Sequence, residues 1–502
     1  MRSIASVLSI IALGFGLLSC SSSGGGGGGG STSAVAVSTT AADFGVVGNT
    51  YTSTLVATGG TAPFTWTVSS GVLPPGLSLN AGTGVVSSTL PLTVAGNSTV
   101  VFVVTDSTGT TATGSVLFAI HPRTDLLSVD NGTPPVPGSA ASSRPAISNN
   151  GRFVAFASSA SNLIPGVSGP QIYLHDWQTN QTSLVSKNNQ GNPASGGSTT
   201  TSPSISSDGR FVAYVSDATN LVFGVGGQQV YLHDSQTSIE FPNGQTTLVS
   251  KDNISPTPQP GNGVSSSPSI SQYGCFVAFA SVSTNFGVAG GNQQIYVRGP
   301  LPGPGIGICP GTEQTSLVSK DNSLVPVAGT GLSSVPSISQ DGCFVAFVSL
   351  ASNLVPLASG QQIYVRGPLP GPGICLGTEQ TSLVSKDNLA SPGNGLSSSP
   401  SISQEGCFVA FASVSTNLGV PGGNQQIYVR GPLPGPGIGI CPGTEQTSLV
   451  SKDNSPVPMA GNGLSSGPSV NANGGFVAFS SLSTNLVLPA PGNQQIYVRV
   501  LP

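Results

Sequence analysis

Charge is what this chain has least of. Of its 502 residues only 6% are Asp, Glu, Lys or Arg, where an ordinary soluble domain carries about 25%. Long exposed helices need charged faces, so a helical architecture is excluded. With 14 basic against 18 acidic residues and a net charge of −4, there is no basic field to neutralise phosphates, and nucleic acid is excluded as a partner. His occurs three times, and Met and Trp twice each. So few candidate groups argue against metal or acid–base chemistry, and no catalytic residue, metal site or cofactor is assigned. Gly (69) and Pro (41) instead punctuate a background of Ser, Thr, Asn, Gln and Val, the composition of short strands joined by turns.

At the N-terminus Met1-Arg2 precedes an almost unbroken apolar run, Val7–Leu18, which fits the apolar core of an export signal and is too short to cross a bilayer. It ends in Leu17-Leu18-Ser19-Cys20. That string resembles the bacterial lipobox, in which the signal is cut before a Cys that becomes acylated. The resemblance implies a signal peptide at 1–19, lipidation of Cys20, and a membrane partner through that lipid. The alternative is an ordinary secretory signal with an incidental Cys. Ser21–Ser23 and Gly24–Gly30 continue as a flexible Gly/Ser tether over 20–34. Ser after the Cys implies, by the same resemblance, sorting to the outer membrane or cell surface.

From 35 to 120 short β-branched runs alternate with turn clusters, as in a β-sandwich. Gly59-Gly60-Thr61-Ala62-Pro63-Phe64-Thr65-Trp66, Leu73–Leu79 and Val104–Gly109 resemble the Ig-like (cadherin-like) domains of bacterial surface proteins. Asp43 and Asp106 are the only acids in this stretch, too few for the calcium sites of some relatives. Trp66 is expected in the core, and the domain reads as a spacer, with adhesion as the alternative.

Beyond Arg144 one phrase recurs six times, first as Pro145–Phe156, and its hairpin Gly returns at Gly151, Gly209, Gly274, Gly342, Gly406 and Gly474. Each unit holds four strand-like runs, which makes a propeller blade. The last unit stops after its third run, Gln495–Arg499, while an orphan fourth run, Thr124–Asn131, precedes the first. An N-terminal strand completing the last blade would close the ring and remove both edges. The expected fold class is therefore all-β: an Ig-like β-sandwich followed by a six-bladed β-propeller over 121–502, closed by an N-terminal strand. The strings Pro203–Ser216 and Pro336–Ser349 resemble the TolB-like, WD40-like (PD40) propellers. That resemblance implies the fold; the family spans protein-binding, enzymatic-accessory and unassigned members. The acidic loop many relatives carry is replaced here by Val167-Ser168-Gly169-Pro170-Gln171.

Setting Cys20 aside leaves Cys275/Cys309, Cys343/Cys375 and Cys407/Cys441, one pair in each of blades three, four and five. The other blades lack both members, and Arg152, Arg210 and Gly475 stand at the first position. Joint presence and absence points to three intrablade disulfides, which suits an oxidising compartment; a redox or zinc role is the alternative. Arg298, Arg366 and Arg430 face Glu313, Glu379 and Glu445 across one hairpin, as partly exposed ion pairs worth about 0–1 kcal/mol. Lys187, Lys251, Lys320, Lys386 and Lys452 precede Asx-type turns. His175-Asp176 and His233-Asp234 offer no third catalytic partner.

Chain direction places the loops from fourth to first strand, and from second to third, on one face of the propeller. That face repeats Asn162, Asn220, Asn285, Asn353, Asn417 and Asn485. These amides either bind a glycan or peptide or cap their own turns. The function expected is a surface-anchored, non-enzymatic binding or scaffold lipoprotein for an envelope protein or glycan. The alternative is a glycan-active hydrolase or lyase using the channel, with Asp208, Asp217, Asp341 and Glu405 as its acids.

Overall fold

The computed structural model describes residues 33–501 apart from 122–125, 196–198, 255, 289–290, 302–308, 310, 370–374, 376–377, 421–422, 434–440, 442–443, 456, 472 and 488–492. The signal, Cys20 and nearly all of the tether lie outside the described residues. Among the described residues, apart from one 3-10 turn at Thr416–Leu418, the regular structure is all β. The chain divides into two units between Arg123 and Thr124.

In the first unit a four-stranded sheet (Gly45–Val46, Thr111–His121, Gly96–Thr105, Thr65–Ser70) and a three-stranded one (Thr52–Thr54, Val85–Ser88, Leu77–Leu79) enclose one core. The period of two does the work: Val100, Phe102 and Val104 are fully buried on one face of their strand, against Trp66, Val86 and Phe118. Asp106 holds a turn by accepting the Thr61, Thr108 and Thr110 amides.

The second unit is a series of antiparallel four-stranded blades in simple sequence order. Blade three is Ser265–Ile270, Val277–Ser281, Gln294–Gly299 and Gln314–Leu317. Successive blades meet through their first strands, and a repeated Ser explains how. Ile270 N–H donates to Ser204 Oγ (3.1 Å), Ile338 to Ser269 (3.1 Å), Ile402 to Ser337 (3.2 Å) and Val470 to Ser401 (3.1 Å). Between blades, small Ala278 and Ala280 with Ile295 and Val297 pack on the larger Val345, Phe347 and Tyr364 of the next blade. Alternating small and large faces lets the layers interdigitate.

The all-β class, sandwich and then propeller blades, is as the composition and repeats imply. Blade six differs in its outer edge. Its sheet holds three strands, Ser465–Val470, Phe476–Ser481 and Gln495–Val500. Among the described residues the orphan run contributes no strand to that sheet. Asn131 instead joins blade one, accepting from the Thr182 amide (2.7 Å) and donating to the Thr182 carbonyl (2.9 Å). The same amide clasp links blades two and three, where Asn253 accepts from the Thr315 amide (2.6 Å). The orphan run therefore stands where the fourth strand of a preceding blade would stand. Ile496 is 76% exposed and Ile147 of blade one 62%, while the equivalent Ile338 is 6% exposed. The end blades thus present two unmatched halves of a blade–blade interface.

Candidate active site at the channel mouth

The first hairpin turns of blades one, two and four are built alike. In blade four Asp341 Oδ1 accepts the Cys343 amide (2.9 Å) and the Ser339 hydroxyl. Asp208 does the same in blade two with Arg210 and Ser206, and Asn150 in blade one with Arg152 and Ser148. A short acceptor side chain at this position is turn chemistry. The next residue in each turn is the Gly at positive φ, +78° at Gly342.

The turns are also wired to one another. Asn149 N–H donates to Ser207 O, Ser207 to Gln272, Gln272 to Gln340 and Gln340 to Gln404, at 2.8–3.1 Å. Because the turns end the first strands, this ladder runs along one mouth of the channel from blade one to blade five. It sets Gln272, Gln340 and Gln404 side by side, and Gln404 Nε2 reaches Gln272 Oε1 at 3.5 Å across blade four. Gln340 Oε1 is buried and accepts no hydrogen bond. The neighbouring positions are Tyr273, 56% exposed, then Asp341 and the exposed Glu405. Burial, reinforced by the Glu405 charge and opposed by the Ser339 and Cys343 bonds, holds the Asp341 carboxyl above its ordinary range. Glu405 also lines a small cavity with Lys386 and Glu445.

Of the four candidate acids, the fold brings together Asp341 and Glu405. Asp208 sits two turns away, and Asp217 lies at the opposite end of blade two, accepting the Thr199 amide (2.7 Å). Tyr273 and the three Gln residues carried no weight as site residues in the sequence. Aligning the repeats on the hairpin Gly would have found them, since they occupy the two positions before it.

The six repeated Asn residues are committed inside their own blades. Asn162 Oδ1 accepts the Ser139 amide (2.7 Å) while Nδ2 donates to Pro137 O (2.9 Å). Asn220, Asn285, Asn353, Asn417 and Asn485 repeat that pair of bonds. Each amide staples the loop entering the first strand to the end of the second. Asn220 in addition lines a pocket of about 820 Å³ with Phe223, Thr246 and Lys251.

Cys275–Cys309, Cys343–Cys375 and Cys407–Cys441 are disulfide-bonded, with Cα atoms 5.5–5.6 Å apart. In blades one and two an ion pair takes their place: Arg152 and Arg210 bind Asp176 and Asp234 at 2.6–2.8 Å. Burial alone would raise the Asp176 carboxyl, but the bonds and charge of Arg152 hold it below its usual range. His233 is buried against Thr246 (2.9 Å). Burial and the Lys187 charge push its pKa down to about 3, so it stays neutral. The Thr246 hydroxyl donates to Lys187 O, which leaves His233 Nδ1 to supply the proton of that contact.

The Arg–Glu pairs are less exposed than their sequence positions suggest. Arg298 and Arg366 are only 2% exposed. Arg366 donates to Glu379 (2.7 Å), Thr381 Oγ1 (2.6 Å) and, in the preceding blade, the Lys320 carbonyl (2.9 Å). It is an interblade clasp, buried because the next blade's outer strand starts where the previous one ends.

Residues 31–121 match the family described as "Putative Ig domain". No curated protein is a detectable sequence relative of the chain. Solved structures with a similar fold include a Pyrococcus horikoshii acylaminoacyl peptidase (12% identity, TM-score 0.37, 72% of this chain and 46% of that one). A Pseudomonas aeruginosa periplasmic gluconolactonase (12%, TM-score 0.33, 80% and 95%) and a Penicillium chrysogenum α-L-arabinanase (11%, TM-score 0.32, 73% and 95%) are others. The chain spans about half the length of the peptidase. These proteins are enzymes by name, and the expectation of a non-enzymatic binding or scaffold module is corrected accordingly. At such identities the likeness concerns fold alone, so the chemistry has to be argued from this chain's own residues.

Proposed function

We propose that this protein is an exported, lipid-anchored glycan hydrolase working at the channel mouth ringed by the first hairpin turns. The observation that carries the reading is the meeting of Asp341 and Glu405 on adjacent turns, beside Tyr273 and three Gln amides. An exposed aromatic ring packs on the apolar face of a sugar, and amides exchange bonds with its hydroxyls. Two carboxyls in unlike environments divide the labour. Asp341, held protonated to higher pH, gives its proton to the leaving glycosidic oxygen, while Glu405 takes a proton from the attacking water as the C–O bond breaks. Membrane attachment rests on the lipobox resemblance at Leu17–Cys20, and a palmitate analogue should label the wild type and not Cys20→Ser.

Purified protein incubated with a panel of neutral polysaccharides should generate new reducing ends. Asp341→Asn and Glu405→Gln should each lower kcat by about 10²–10⁴-fold. Deprotonation of Asp341 should set the alkaline limb of the pH–rate profile above the ordinary carboxylate range, and that limb should vanish in Asp341→Asn. Full activity in both variants, or no release by wild type across the panel, would sink the proposal.

A further inference from the structure

The propeller's exposed apolar side chains are concentrated on one face, the one opposite the channel mouth just described. The loops from fourth to first strand and those from second to third share that face, and both line the blade-two pocket. At their tips Phe223 is 102% exposed, Leu324 105%, Leu357 91%, Leu389 89% and Val457 81%. Closer to the channel, Leu332 and Leu396 are also exposed. On the hairpin-turn face, among the described residues, the exposed large apolar groups are Ile239 and Tyr273, with Phe476 and Val500 at the outer blade-six edge.

Three of these tips are built to stay out. Asp321 Oδ1 accepts the Ser323 and Val327 amides and so pins the turn that carries Leu324. Asp387 does the same for Leu389, through the Leu389 and Ser391 amides, and Asp453 pins the turn of Val457 through Ser455 and Met459. A pinned turn cannot fold its apolar residue back onto the blade, so exposure is preorganised. Apolar side chains held out on separate loops of one face are suited to partition into an apolar surface.

We infer that this face docks on the surface of a lipid bilayer, its apolar tips entering the interface between headgroups and acyl chains. Two features select that occupant. The apolar groups stand on separate protruding loops, a form suited to insertion among lipids, whereas a protein partner is better served by one continuous patch. The chain outside the described residues also carries Cys20, whose lipid would hold the protein beside a membrane, and in this clause the inference rests on the proposed lipid anchor. The carboxylates at the base of the tips oppose anionic headgroups, so zwitterionic lipid is the surface that fits. Docked this way, the mouth with Tyr273, Asp341 and Glu405 faces away from the membrane.

The test uses chain beginning at Ser21, which removes the apolar run and Cys20, so that failure of the anchor and failure of the face are read separately. It should float with phosphatidylcholine vesicles, and raised salt should not release it. The combined variant Phe223→Ser, Leu324→Ser, Leu357→Ser and Leu389→Ser should weaken binding by about tenfold or more, with unchanged thermal unfolding. Leu324→Trp should show a blue-shifted, bromolipid-quenched emission on adding vesicles, and Tyr273→Trp should not. No flotation, or flotation undiminished in the fourfold variant, overturns the inference. Self-association without lipid that the same variant abolishes would assign the face to a second copy instead.

Discussion

At the scale of single residues, one position in the third strand shows how little the fold cares about chemistry as long as its donors are met. Blades three to five place Arg there and blades one and two place His, and both donate to the same Thr hydroxyl of the fourth strand, Thr315 in one case and Thr246 in the other. The Arg version adds a carboxylate: Arg430 binds Glu445 at 2.6 Å. Burial would raise the Glu445 carboxyl, yet Arg430 and Lys386 hold it below the ordinary value of 4.5. A folded-state pKa that is depressed contributes stability above the unfolded value and loses it as pH falls through the folded one. Arg430→Met should therefore destabilise the protein by about 2 kcal/mol at neutral pH, since it leaves carbonyls and a carboxylate short of donors. The gap from wild type should narrow as pH drops below about 4.5, the ordinary Glu range. Urea titrations at several pH values measure both, and a pH-independent gap would show that Glu445 does not share in the clasp.

Within a blade, the start of the second strand is tied to the outer hairpin by one of two interchangeable staples. Arg–Asp ion pairs serve blades one and two, and disulfides serve blades three to five. The exchange explains why both Cys residues of a pair come and go together: a lone thiol at Cys343 would leave neither staple. The Cys343–Cys375 bond closes a segment of 32 residues, for which the chain-entropy model gives roughly 3–4 kcal/mol. Replacing both by Ser should lower the thermal midpoint without altering the circular dichroism spectrum, because blades one and two fold without the bond. Loss of the β signal would mean that the long third-to-fourth loop cannot find its register unaided.

For the whole molecule, the open question of physics is the seam between blades six and one. Among the described residues no strand covers the outer edge of Gln495–Val500, whereas its counterpart Gln426–Gly431 is covered by Gln446–Leu449. An uncovered edge leaves amides to water. Hydrogen exchange should therefore be much faster at Gln495–Val500 than at Gln426–Gly431. Equal protection would show that a strand covers that edge in solution, and Leu126–Asn131, already placed as a fourth strand beside blade one, is the segment to examine for it.

Composition and periodicity alone determined the all-β class, the division into sandwich and blades, and the Cys pairing, because each follows from local spacing: a period of two along strands, a Gly at each hairpin, and a staple that repeats with the blade. They could not decide which of the sparse polar residues meet. The six Asn residues recur as regularly as any ligand ring, yet tertiary contacts spend both ends of every amide on the adjoining loop. Asp341 and Glu405 stand 64 residues apart in the chain and look like turn residues, which they are. Only the packing of first strand against first strand, through Ser hydroxyls and the ladder of turn amides, brings them to one mouth. The same packing sorts exposed Leu and Val tips onto the opposite face, because burial depends on what the neighbouring blade covers and not on the residue's own hydrophobicity.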